Sequence, residues 1–183
     1  MLLLWMWACG SLEEMEKDFP FEGAYQTWCD TERSAKIIDV YDGDTVTLET
    51  GEKIRFLGAA APEINPPECY GDVSAEFLRE LLLQQEVRLQ FDVECTDMYQ
   101  RTLGWVFLDG SDAVVASMME EYSITGLQSD GSYNLLVNEL LIRMGYAEIF
   151  RGDVAKNVRY TERLEQAEDD AQFESLGLWG VCE

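Results

Sequence analysis

The apolar positions along the chain follow two periods, and each stretch predicts its own element. From Lys36, the run Ile37-Ile38-Asp39-Val40-Tyr41 enters the turn signal Asp42-Gly43-Asp44, and Thr45-Val46-Thr47-Leu48 then alternates as a strand does. A second turn at Thr50-Gly51-Glu52 leads into Lys53-Ile54-Arg55-Phe56-Leu57, so three strands joined by tight turns are expected as a meander. Phe77, Leu78, Leu81 and Leu82 repeat at helical spacing and predict a helix over 72–84, with Asp72 or Ser74 as N-cap. The segment from Glu86 to Asp92 alternates cleanly, which predicts a strand with one wet face. Thr102-Leu103-Gly104-Trp105-Val106-Phe107-Leu108 is apolar on both faces and predicts a central strand.

Residues 109–133 hold three glycine-bearing turn signals, several acids and no Lys or Arg. They predict a long polar insertion carrying a short helix around 114–121. Further helices are expected over 135–144, ended by Gly145, and over about 157–175. The last has Tyr160, Leu164, Ala167 and Ala171 on one face and Gly177 as its stop. Three strands, a helix, two strands and two helices make the layout of an α+β protein. The expected architecture is a five-stranded OB-fold barrel with three packed helices.

Ahead of this domain, placed at 35–183, the composition changes twice. Residues 1–8 are uncharged and apolar, too short to span a bilayer and of the length of a secretion-signal core. They end on Ala8-Cys9-Gly10-Ser11, similar to the lipobox of bacterial lipoproteins, in which Cys9 would be lipidated. Residues 9–34 are rich in acids with little periodicity and read as an acidic tether. Setting Cys9 aside leaves Cys29, Cys69, Cys95 and Cys182, an even number without CxxC pairs. That fits two disulfides in an oxidising compartment better than a metal site, with three connectivities open. The expectation is an exported protein, either a cell-envelope lipoprotein held to the membrane through Cys9 or a secreted one, and a monomer.

Charge and composition narrow the chemistry. The 183 residues contain no histidine, which excludes imidazole bases, His-dependent nucleophiles and imidazole-ligated metals. Acids outnumber bases 36 to 13, a net charge of −23, which argues against coating nucleic acid by bulk charge. Chemistry therefore rests on carboxylates, guanidiniums, hydroxyls or thiols.

Three motifs stand in a fixed order. Asp42-Gly43-Asp44-Thr45, read alone, is a hairpin turn. Arg55, seven residues before Pro62-Glu63, is alone a strand arginine followed by a loop start. Asp97-Met98-Tyr99-Gln100-Arg101, running into the apolar strand from Thr102, is alone a polar loop. Together they resemble the staphylococcal nuclease (thermonuclease) family from about Lys36 to Trp179. Pro67-Glu68-Cys69-Tyr70-Gly71, the stretch from Val137 to Leu141, Gly145-Tyr146-Ala147 and Gly177-Leu178-Trp179 extend the match.

The resemblance implies hydrolysis of phosphodiester bonds in DNA or RNA, with Arg55, Glu63 and Arg101 as the catalytic set. Physically, two arginines can grip phosphate oxygens bidentately and stabilise the growing negative charge. Glu63, just past a rigid proline, would activate the attacking water. The resemblance also implies a calcium ion held by Asp44 and the carbonyl of Ala61. The family's second aspartate would fall at position 60, which here is Ala60. Calcium takes six to eight oxygens, so a lost carboxylate removes a ligand and a charge. Three outcomes are open: water in its place, Asp42 or Glu63 moved in as a ligand, or no metal at all. Met98 replaces the basic residue usual in the third motif, and Arg151 lies near a common phosphate-contacting tyrosine. Lys53, Arg55, Arg88 and Arg101 are expected along the cleft. The alternative reading is a weakened or inactive domain of the same fold that binds nucleic acid or a protein partner.

Overall fold

The computed structural model describes residues 32–129, 132–152 and 159–182. Residues 1–8, Cys9, Cys29 and nearly all of the expected tether lie outside them. Strand β1 (Arg33–Val40) begins two residues before the expected domain boundary and is followed by β2 (Thr45–Leu48) and β3 (Lys53–Phe56). The meander is antiparallel, pairing Val40 with Val46 and Thr45 with Arg55. An irregularity in β1 between Ile37 and Asp39 leaves both Ile38 and Asp39 exposed and returns Val40 to the buried face.

β5 (Glu86–Gln90) pairs antiparallel with β1, and β6 (Thr102–Asp109) pairs antiparallel with β5. β6 also runs parallel to β3, with Arg55 opposite Leu103, and this closes five strands into a barrel. β6 is buried from Leu103 to Leu108 because it borders β5, β3 and a further strand at once, as its two apolar faces predict. Ile37, Leu48, Ile54, Phe56, Leu89 and Val106 fill the interior, while the buried Trp105 and Phe107 share the other face of the sheet with Gln90 and Arg88 and pack against Tyr160.

Helix α1 (Gly71–Leu82) lies between β3 and β5 in sequence, preceded by the two-residue strand β4 (Ala59–Ala60). Its N-cap is Tyr70 at φ 74°, not Asp72 or Ser74. Ser74 lies within the first turn, fully buried, and donates its hydroxyl to the Tyr146 carbonyl. The insertion contains the expected short helix, α2 (Ala113–Glu121), capped by the Asp112 side chain. It also contains an unexpected hairpin, β7 (Leu127–Ser129) and β8 (Ser132–Leu136), which extends the sheet from β6.

Because β8 takes Leu135 and Leu136, helix α3 (Val137–Arg143) starts two residues later than its apolar run suggests. Gly145 ends it with positive φ, as expected. β9 (Glu148–Ile149) pairs with β4, and α4 (Thr161–Phe173) packs on α3. Ser175, at φ 54°, follows the end of α4; Gly177 instead opens the short helix α5 (Leu178–Val181). A Cβ on Gly177 would stand 2.2 Å from the Gly145 carbonyl oxygen, so this contact requires glycine at that position. A disulfide joins Cys69 to Cys182, and Cys95 is disulfide-bonded as well. Among the described residues, no helix is long and apolar enough to cross a membrane.

Candidate active site

The turn between β1 and β2 builds the first half of the site. The Asp44 N–H donates to Asp42 Oδ1 at 3.0 Å, which folds the turn on its own side chain. Gly43 is needed there, since a Cβ would meet Ala61 and Ser74 Cβ atoms at 2.6 and 2.7 Å. Both aspartates are thereby buried. Asp44 Oδ1 accepts the Thr45 hydroxyl at 3.0 Å, and Oδ2 accepts the Ala61 N–H at 2.8 Å. Oδ2 also lies 3.0 Å from Arg55 Nη2. Burial pushes the Asp44 carboxyl up to about 7, with the Arg55 charge opposing this and the Asp42 charge adding to it.

Arg55 leaves β3 at the point where that strand is flanked by β2 and β6. Its Nη1 donates to the carbonyls of Phe56 and Ala59 at 2.8 and 2.5 Å. Desolvation lowers this guanidinium from its ordinary value, Asp44 opposes that, and nearby Arg101 adds to it.

Arg101 sits at the mouth of β6 in a loop organised by Asp97. Asp97 Oδ1 accepts the N–H groups of Tyr99 and Arg101, both at 2.9 Å, and Oδ2 takes Arg101 Nε at 2.7 Å. Arg101 Nη1 reaches the Thr45 hydroxyl at 3.3 Å. A hydrogen-bonded chain therefore joins both arginines, from Arg101 through Thr45 and Asp44 to Arg55.

Arg55 and Arg101 line one cleft of about 820 Å³, together with Tyr99, Trp105, Phe150 and Arg151. Glu63 lies elsewhere. Its exposed side chain lines an adjoining cavity of about 570 Å³ with Ala60, Ala61, Pro62 and Glu68. Phe150 and Arg151 form the wall common to both spaces. Among the described residues, no hydrogen bond or ion pair joins Glu63 to either arginine.

The basic residues expected along the cleft divide. Lys53 stacks over Tyr41, and Arg88 pairs with Glu32 and lies over Phe107, so neither faces the cleft. Arg151 takes that place, held by the buried carboxylate of Glu168. Met98 and Tyr99 are exposed at the rim, with the Tyr99 ring centroid 5.4 Å from Arg101 Cζ. The anchoring role of Asp97 and the wall position of Arg151 escaped the strand and helix patterns, because both depend on a loop or a tertiary contact. The spacing of Asp97 and Arg101, four apart before an apolar strand, was the available signal for the first.

The residues do not make a calcium cage. Asp42 and Asp44 stand together, but Ala61 meets Asp44 through its N–H and position 60 offers only a methyl group. The oxygens of Asp44 already serve Thr45, Ala61 and Arg55. Among the described residues, no group of three or more His, Cys, Asp or Glu is placed to hold a metal ion.

A closed five-stranded OB barrel carrying paired guanidiniums and buried aspartates at its mouth defines the class. Residues 53–181 match the family described as staphylococcal nuclease homologue, and the chain belongs to that family. It is 29% identical over 178 residues to the thermonuclease of Staphylococcus hyicus, covering 92% of this chain and 88% of that protein. It is also 29% identical over 148 residues to the thermonuclease of Staphylococcus intermedius, covering 76% and 72%.

Proposed function

We propose that the protein is an exported nuclease that cuts within DNA and RNA chains with little sequence preference. One observation carries this reading: Arg55 and Arg101 reach a single cleft through a shared chain of hydrogen bonds. A scissile phosphate gains negative charge as water adds, so fixed cations at that point lower the barrier. Asp44 and two carbonyls aim Arg55, while Asp97 and Thr45 aim Arg101, which removes reorganisation from the chemical step. Both guanidiniums stay protonated and hold charge rather than move protons.

Glu63 is the proposed base. The attacking water gives its proton to the Glu63 carboxylate as its oxygen bonds to phosphorus, and the leaving oxygen takes a proton from solvent. The family membership and the two thermonuclease relatives support this assignment of roles. The disulfides support export. Lipidation at Cys9 would add a membrane anchor.

Ala60 and the separate cavity of Glu63 favour the second reading, a non-cutting domain that binds nucleic acid or a partner protein. Incubating plasmid DNA with the folded protein in Ca²⁺, Mn²⁺ or EDTA separates the two. Cleavage in at least one condition, lost by orders of magnitude in Glu63→Gln, is expected; intact plasmid in all three ends the enzyme reading.

A further inference from the structure

We propose that the Cys69–Cys182 disulfide is a positioning device for Glu63, coupling the C-terminal helix to the loop that carries the base. This rests on the nuclease reading given above. The loop between β4 and α1 is folded on itself around Glu63. The Glu63 N–H donates to the Glu68 carboxylate and the Glu68 N–H donates to the Glu63 carbonyl, both at 2.8 Å. Ile64 and Pro67 add a bridge inside this ring. Cys69 is the next residue, so the knot that holds the base ends at a sulfur.

That sulfur is bonded to Cys182, 113 residues away in sequence. Cys182 follows α5, which is itself fixed to the body through Leu178, whose N–H donates to the Gly145 carbonyl at 2.9 Å. Glu63, Glu68, Cys69, Leu178 and Cys182 line the same cavity. The bridge therefore closes the wall of the space into which Glu63 projects. By contrast, Arg55 and Arg101 are held by Asp44, Asp97, Thr45 and backbone carbonyls, with no path through the sulfurs. Loss of the bridge should release the base and leave the phosphate grip intact.

The test compares wild type, Cys69→Ser/Cys182→Ser, Glu63→Gln and the triple variant, with kcat and KM measured on DNA well below the thermal midpoint of each. The expected result is a roughly 10- to 100-fold fall in kcat for the bridge variant, as for small misplacements of a reacting group, with KM within about twofold. In the Glu63→Gln background the same change should lower kcat no further. An unchanged kcat in the bridge variant, or an equal fall with and without Glu63, overturns the proposal. Inactive wild type, or Glu63→Gln as active as wild type, overturns instead the nuclease reading or the role of Glu63, and the proposal with it.

Should the bridge variant not fold, wild type is treated with dithiothreitol. The reagent gives two electrons and two protons to the bridge, leaving two thiols, and closes to its own cyclic disulfide. Cys95 is disulfide-bonded as well, so its alkylation is followed separately. Activity should fall with the appearance of alkylatable Cys182 and not with that of Cys95, before the near-ultraviolet signal of the folded core is lost. A loss that follows Cys95 instead overturns the proposal. Loss of activity only on unfolding overturns the proposal.

Discussion

Asp97 shows how much one side chain can organise at this site. It accepts two backbone N–H groups and the Arg101 guanidinium, so the loop and the cation are set together. Burial alone would raise its pKa, but the hydrogen bonds and charge of Arg101 outweigh this and hold the carboxyl below its ordinary 3.8. A depressed carboxylate pKa gives stability that is present above the unfolded-state value and lost as pH falls through the folded-state one. Thermal midpoints measured between about pH 5 and pH 2 should therefore fall with acid in wild type and fall less in Asp97→Asn. Equal acid slopes in the two proteins would contradict this. Ala60 is the converse case, a place where a missing group decides. Adding a carboxylate with Ala60→Asp should raise calcium affinity at least about tenfold over wild type by titration calorimetry, since affinity follows ligand charge. Unchanged affinity would show that position 60 is not placed to join Asp44 in holding a cation.

Asn138 performs the equivalent service for the elements. It is fully buried on α3 and faces the seam where β3 and β6 close the barrel. Its Oδ1 accepts the Val106 N–H at 2.9 Å, and its Nδ2 donates to the carbonyls of Leu57 and Gly104 at 2.9 and 3.2 Å. Asn138→Ala leaves the Val106 N–H and the Leu57 carbonyl without this partner. A loss of about 3 kcal/mol is expected, read as a lower urea midpoint at constant slope. The strands that make this seam were plain in the sequence because each alternates or runs apolar for at least four residues. β4 and β9 have two residues each and give no period to read. β8 was hidden because Leu135-Leu136-Val137 passes from strand to helix without a polar break. At the site, the motifs pointed to Arg55 and Arg101. Which cavity receives Glu63, and that Arg151 rather than Arg88 faces the cleft, depends on how β9 and α4 meet the barrel, and no local pattern encodes that.

For the molecule as a whole, a net charge of −23 meets a polyanionic substrate. Nearly every arginine in the described residues is already in an ion pair, so no broad basic surface remains to draw nucleic acid in. Binding must come from short-range contacts at the cleft against long-range repulsion from the body. The two respond to salt in opposite ways. Two contact guanidiniums give log K a slope against log salt no steeper than about −2. Repulsion from remote carboxylates is screened over about 8 Å at physiological ionic strength, so added salt removes it first. Initial cleavage rates at low DNA concentration should thus rise a few-fold between about 10 and 100 mM NaCl before levelling. A steep fall across that range, as for a protein that neutralises many phosphates, would mean that the positive surface is larger than these ion pairs leave.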